Sequence, residues 1–221
     1  ARINVQAGGQ LVTAAHVTNF AGTITGNGSV VMGNNTDGYS VSLLIIGLDD
    51  RSGTFSGTMS GGTGVMKKGT GTWTVTTPQT FTGMGASSYG WNPDVRMNVD
   101  AGVLELTDAG SMTAQVVVFG NSDTGRAQLL LTETAGGTTS RLAGGVNLRG
   151  GEIKVVGSDT VETISNLGAM TVNRGAAVVT IDAGSAAGTT VNAVMTRGQG
   201  GTLLFRGDNL ARATARAQKA A

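Results

Sequence analysis

The chain has 221 residues, with 37 glycines, 2 prolines and no cysteine; 39% of residues are hydrophobic and 13% are charged. Glycine without a Gly-X-Y register excludes collagen, the apolar content with low charge excludes disorder, and the lack of cysteine excludes disulfide staples and thiolate metal sites. A formal net charge of +1 lacks the basic footprint of a nucleic-acid binder, and no apolar run is long enough for a membrane-spanning helix.

The chain opens on a predicted strand, Arg2-Ile3-Asn4-Val5, with no polar cap before it. It carries neither an initiator Met nor a signal peptide, so Ala1 reads as a processed or excised start. A cassette then begins to recur, a glycine turn followed by a short β-rich run. It appears at Ala7-Gly8-Gly9-Gln10-Leu11-Val12 and at Gly26-Asn27-Gly28-Ser29-Val30-Val31. It returns at Ala101-Gly102-Val103-Leu104, Gly150-Gly151-Glu152-Ile153 and Gly200-Gly201-Thr202-Leu203. Glycine supplies the positive φ that tight corners demand. The markers Gly102, Gly125, Gly151, Gly175 and Gly200 follow one another at near-equal steps. A fixed period of this kind, here about 25 residues, is the signature of a solenoid.

Between the cassettes, residues offer little chemistry. His16 is the single histidine, so neither a zinc cluster nor a Ser-His-Asp triad can be assembled around several imidazoles, and it reads as structural or superficial. Gly33-Asn34-Asn35-Thr36-Asp37-Gly38 lacks the acidic density of a calcium loop and reads as a turn. The longest apolar stretch, Val41 to Leu48, is strand-sized. Asp49 and Asp50 form the one adjacent acidic pair; with Arg51 they read as a solvated turn. Thr70 to Thr76 alternates at period two around Trp73. The Gly-Thr-Gly segments at 62–64 and 69–71 are not phosphate loops, since no Lys-Ser/Thr follows them.

The segment 83–98 interrupts the pattern with Tyr89, Trp91 and Asn92 among turn formers, following Phe81. Large aromatics on a projecting loop anchor interfaces or stack on sugar rings, so Phe81, Tyr89, Trp91 and Asn92 are the candidate contact residues; folding back onto the rod is the alternative. Further strands are predicted at Val116 to Phe119, Leu129 to Leu131, Val178 to Ile181 and Val191 to Met195. From Leu210 the composition turns to Ala with Arg212, Arg216 and Lys219, which reads as a short helix, an arm on a neighbour or a frayed end. The expected division is therefore 1–209 as β-helix repeats, with the loop inserted at 83–98, and 210–221 as a terminal arm. Short strands without crossover helices also fit a sandwich or an up-and-down barrel; the period favours an all-β, single-stranded parallel β-helix with coils of about 20–26 residues.

Gly61-Gly62-Thr63-Gly64-Val65-Met66-Lys67-Lys68-Gly69-Thr70-Gly71-Thr72-Trp73-Thr74-Val75 resembles the first half of the passenger-associated transport repeat, or autotransporter-associated β-strand repeat. Thr80-Phe81-Thr82-Gly83 is similar to that family's Thr/Tyr/Ser-Gly stretch, and Asn98-Val99-Asp100-Ala101-Gly102-Val103-Leu104 to its closing piece. The departure is the insertion between Gly83 and Asn98. Leu148 to Val156, Leu167 to Gly184 and Val194 to Gly207 are similar to large repeat-bearing exported proteins of bacteria. The resemblance implies a right-handed parallel β-helix, exported to the bacterial surface, in a stalk, adhesin or fibre; it carries no catalytic residues.

Three functions compete at this level. The first is a structural extracellular solenoid that stacks end to end with copies of itself or with neighbouring repeats of a longer chain. The second is an adhesin that binds a glycan or surface through the 83–98 loop. The third, a carbohydrate-active β-helix enzyme, needs carboxylates clustered on one face, and the acids here are scattered. The expectation is no enzyme, no catalytic residue, no cofactor and no metal.

Overall fold

The computed structural model describes residues 1–14, 17–33, 43–62, 64–82, 96–121, 125–185, 188–198, 200–208 and 213–219, with no side-chain description at 121, 125, 126, 208 or 213–219. The described residues form an all-β solenoid of parallel strands. The first coil runs through β1 (Ile3–Val5), β2 (Gln10–Thr13) and β3 (Thr18–Phe20), and the second through β4 (Ile24–Gly26), β5 (Ser29–Met32) and β6 (Leu43–Ile46). The third holds β7 (Gly53–Phe55), β8 (Thr58–Gly61) and β9 (Gly64–Lys67); the fourth holds β10 (Thr72–Val75), β11 (Pro78–Gln79) and β12 (Met97–Val99). The fifth comprises β13 (Val103–Leu106), β14 (Ser111–Met112) and β15 (Val116–Asn121), with β16 (Gly125–Arg126) folded back antiparallel on β15. The sixth is β17 (Gln128–Thr132), β18 (Gly137–Thr139) and β19 (Val146–Arg149). Two strands per coil follow: β20 (Glu152–Val156) with β21 (Thr163–Val172), β22 (Gly175–Asp182) with β23 (Thr189–Arg197), and β24 (Gly201–Asp208) with β25 (Ala213–Lys219).

Stacking these coils makes faces. Among the described residues the first face is a nine-stranded sheet, β1-β4-β7-β10-β13-β17-β20-β22-β24. The third face runs β3-β6-β9-β12-β15-β19-β21-β23-β25. Between them a second face exists only in the earlier coils, as β2-β5-β8 and then β11-β14. Its end is visible in β21. The first half of that strand pairs with β18 (Gly137 with Thr163) and its second half with β19 (Val146 with Met170). One long strand thus replaces two strands and the corner between them, and a three-sided rod becomes a flat two-sided one. Leu167, at the register shift between Asn166 and Gly168 in the pairing with β23, points into the core with no exposure.

Hydrophobicity explains why the coils stay in register, because each inward position must meet an inward position one coil away. On the first face, Trp73, Leu104, Leu129, Ile153 and Val179 form one inward row, all buried. The third face contributes Leu44, Val65, Met97, Val116, Val146 and Met170 in the same way. Full burial of one such side chain is worth about 1.5–3 kcal/mol, more than a cross-strand pair on the outer surface, at about 0.2–1 kcal/mol. The rows therefore carry the stability. Composition points to a core of aliphatic side chains without large rings, yet Phe55, Trp73 and Phe81 are all fully buried. Phe55 and Trp73 stack with centroids 6.2 Å apart, and the indole Nε1 donates to the Ile24 carbonyl at 3.0 Å.

The register also locates the glycine markers. Val103 pairs with Gln128, Gln128 with Glu152, Glu152 with Val178 and Val178 with Leu204, so the later coils are nearly equal in length. Gly102, Gly151 and Gly200 stand immediately before, and Gly175 at the start of, the first-face strand of its coil. Earlier coils are less regular: Ile3 pairs with Ile24 across a short coil, and Thr72 with Val103 across a long one. The longer coil contains the segment 83–98. Its closing residues Met97 and Asn98 are in strand β12, so the interruption ends before Met97. The tail also differs from expectation. Residues 213–219 are not a helix but a strand in register on β23, Thr189 with Ala213 through Met195 with Lys219. An open parallel edge offers ladder hydrogen bonds that override the helical preference of Ala.

Close approach of coils sets the demand at Gly57. A β-carbon there would be driven into the Gly28 carbonyl oxygen and would lie 2.7 Å from the Phe55 ring. Gly8 has φ +75° but open space around it. Gly57→Ala is therefore expected to cost about 2–3 kcal/mol as overpacking, and Gly8→Ala about 1–2 kcal/mol as backbone strain. Urea unfolding midpoints of the two variants check the order, and a smaller loss at Gly57 would contradict it.

Candidate functional site

Of the sequence-derived contact residues, Phe81 is the one that lies among the described residues. Phe81 lies in the core with no exposure, which removes its ring from any contact surface. It follows Gln79 at period two, and both are buried while Thr80 and Thr82 are exposed; that alternation is a signal in the sequence that the reading of Phe81 as a contact residue passed over. Tyr89, Trp91 and Asn92 lie outside the described residues, as do His16 and residues 34–38 of the glycine-asparagine turn.

Asp49 and Asp50 do form a turn, but one that ties coils together. The Asp49 carboxylate accepts from Thr23 N at 2.9 Å and Thr23 Oγ1 at 2.7 Å, in the coil before. Asp50, at φ 57°, accepts from Thr70 N at 2.8 Å in the coil after. The Thr23 hydroxyl holds the Asp49 carboxyl below its usual range; slight desolvation opposes it, and backbone N–H groups of Arg51 and Thr23 add to it.

Inside this corner sits Lys67, 1% exposed. Its ammonium donates to the carbonyls of Lys68 (2.8 Å), Gly69 (2.9 Å) and Ala101 (3.2 Å). Three donors meet three acceptors, one of them a coil away, and the buried charge is satisfied by backbone alone. Burial pulls its pKa down to about 8, against the attraction of Asp50 and Asp49. The crevice lined by Lys67, Trp73, Ile46 and Arg51 is too narrow to hold a water molecule.

A second buried charge lies where the second face ends. Glu133, 1% exposed, receives Arg141 Nε at 2.9 and 3.0 Å on its two oxygens and Nη2 at 2.8 Å. Thr139 Oγ1 donates to it at 2.8 Å, while Arg141 Nη1 reaches the Gly110 carbonyl at 2.7 Å in the preceding coil. Each nitrogen of Arg141 and each oxygen of Glu133 has a partner, so the pair is built as a clamp.

Two further carboxylates lie on the outer side of the first face. Glu105 accepts from Thr74 Oγ1 and Thr132 Oγ1, each at 2.8 Å. Glu152 accepts from Thr180 Oγ1, from Gln128 Nε2 at 3.2 Å and from Arg206 Nη2 at 2.9 Å. Burial alone would raise the Glu152 pKa, but the hydrogen bonds from Thr180, Arg206 and Gln128, with the Arg206 charge, outweigh it and hold it low. Among the described residues no three His, Asp or Glu side chains converge for a metal ion, and no helix is long and apolar enough to cross a membrane.

Arg141→Met is expected to cost about 3–5 kcal/mol, because Glu133 is left buried and unpaired, with much of that regained in the double variant Glu133→Met/Arg141→Met; denaturant unfolding of both proteins measures it. For Lys67 the sign follows from proton binding. The unfolded chain keeps this proton up to its ordinary pKa of 10.5, whereas the folded chain releases it from about 8 upward, so stability rises with pH in that window. The thermal midpoint of the wild type is expected to gain on that of Lys67→Met between those two pH values, and parallel curves would contradict the assignment. No family model, curated protein or solved structure matches the chain.

Proposed function

We propose that the chain is a structural β-solenoid, a segment or subunit of a bacterial surface fibre, stalk or filament whose task is extension. The single observation behind this reading is the pair of continuous faces, the first and the third, that run in parallel register from β1 to β24 and from β3 to β25. At an interval of about 4.8 Å per coil, nine such coils make a rod about 40 Å long. The likeness of residues 61–75 to the autotransporter-associated repeat supports an exported, extracellular setting. The adhesin alternative keeps Tyr89, Trp91 and Asn92 but loses Phe81 to the core.

End-to-end stacking has a specific support. Phe205 continues the inward row after Val179 yet is 38% exposed, and Leu204 beside it is 57% exposed. At the other end Val12 and Phe20 are 64% and 68% exposed. A further coil laid on β24, from this chain or from a second one, would bury Phe205 and extend both faces. Unpaired strand edges template such pairing.

Negative-stain images at rising concentration are expected to show fibres longer than about 40 Å for the wild type and single rods for Phe205→Lys. A wild type that stays as single rods would remove copy-on-copy stacking, and compact round particles would remove the rod.

A further inference from the structure

Asn27-Gly28 is the one Asn-Gly pair in the chain, and it forms the corner between β4 and β5. We propose that this pair is a self-modification site, sealed while the first coil is seated and converted to isoaspartate once β1 and β2 lift. In the reaction the Gly28 backbone nitrogen gives up its proton and attacks the side-chain amide carbon of Asn27. Ammonia leaves with a proton, a succinimide ring remains, and water opens the ring to aspartate or isoaspartate. Water is the co-reactant, and the step needs no catalytic side chain.

The folded corner ties down the nucleophile and leaves the electrophile open. Asn27 is exposed, whereas Gly28 is buried. Gly28 N donates to the Val5 carbonyl at 2.8 Å, and Asn27 N donates to the same oxygen at 2.9 Å. From the other side Thr58 N donates to the Gly28 carbonyl at 3.2 Å, and Ser56 N to the Gly26 carbonyl at 2.8 Å. The Asn27-Gly28 peptide is thus clamped between the first coil and the third, and its nitrogen is not free to turn towards the side chain. Space is closed as well. A β-carbon on Gly28 would collide with the Gln6 carbonyl oxygen and stand 2.6 Å from that of Gly9 and from Val5 Cγ1. This crowding explains the glycine, and glycine is the residue that hinders the attack least. Packing therefore demands the reactive pair and also blocks it.

On one side the seal is the first coil, and that coil is lightly held. β1 pairs with β4 from Ile3 with Ile24 to Val5 with Gly26, and β2 with β5 from Gln10 with Ser29 to Thr13 with Met32. Among its described apolar side chains Val5 is buried, Ile3 and Leu11 are partly buried, and Val12 and Phe20 are exposed. A unit with so few buried contacts opens at a lower free energy than the rod as a whole. Lifting it withdraws the Val5 and Gly9 carbonyls and frees Gly28 N. Isoaspartate then routes the backbone through the former side-chain carbon and lengthens the corner by one atom. The N–H groups of residues 27 and 28 no longer meet Val5 together, and the coil cannot return in register. A reversible opening becomes a permanent one, whether or not the protein forms fibres.

The test is the rate of isoaspartate formation at residue 27 in mildly alkaline buffer, read by peptide mass spectrometry and isoaspartyl methyltransferase labelling. The folded wild type is expected to react about tenfold or more slowly than the urea-unfolded chain. Val5→Asp, which unseats the first coil, is expected to react in native buffer nearly as fast as the unfolded chain. Val179→Ala, a cavity on the first face far from the corner, is expected to keep the wild-type rate. Should Val5→Asp unfold the whole rod, the wild type in sub-denaturing urea carries the test, its rate rising in proportion to hydrogen exchange at the Gly28 amide. Once reacted and returned to native buffer, the chain is expected to leave the Ser29 amide, which donates to Gly9, unprotected. A folded wild type that reacts as fast as the unfolded chain, a folded Val5→Asp that keeps the wild-type rate, or an equal acceleration in Val179→Ala would each overturn the proposal. So would a rate that does not follow Gly28 exchange, or renewed protection of Ser29 in the reacted chain.

Discussion

Everything in this rod depends on the hydrogen-bonded register of one coil on the next. A parallel ladder between coils repeats every backbone position at the strand spacing, so each side chain is judged against its neighbours one coil up and one coil down. Inward rows must be apolar throughout, as the row from Trp73 to Val179 is. Outward rows must avoid stacking like charges. On the first face Thr74, Glu105, Leu130, Lys154, Thr180 and Arg206 succeed one another with no two acids or bases adjacent. The exceptions to an apolar interior obey the same logic, since Lys67 and Arg141 each direct donors to a carbonyl of an adjacent coil.

The loss of the second face is the main departure from strict repetition. A corner costs residues in turn conformations and polar groups that must find partners. β21 removes one corner by running straight through it, and the coils that follow are two long strands each. Glu133, Thr139, Arg141 and Gly110 are knitted together beside this change. The buried pair secures the last three-sided coil at the point where the cross-section alters, the kind of task in which buried ions contribute conformational specificity more than stability.

Much of this was legible because corners need glycine and strands need alternation. Gly102, Gly151, Gly175 and Gly200 mark coil starts, whereas Gly125 falls in the antiparallel β16; the strands expected at 70–76, 116–119, 129–131, 178–181 and 191–195 are present, the first as Thr72–Val75. Which face a cassette serves was not legible. Gly8-Gly9 leads into β2 on the second face, whereas Gly102 leads into β13 on the first, and the local residues are alike. Buried polar residues were hidden for a different reason. The partners of Lys67 and Arg141 include Ala101 and Gly110, far along the chain, and are main-chain atoms that leave no trace in side-chain pattern.

The direction of the ladder has a mechanical consequence. Hydrogen bonds between coils point along the rod, so tension on its two ends loads the outermost coil first and peels it away, one ladder at a time. Each coil holds its residues nearly perpendicular to the pull. Take the coil that runs from Val178 to its partner Leu204. Unwound at roughly 3.5 Å per residue, it yields roughly 90 Å of chain in place of about 5 Å of rod. Under load such a rod works less as a rigid spacer than as a reel, lengthening in steps and holding its attachment while it does so.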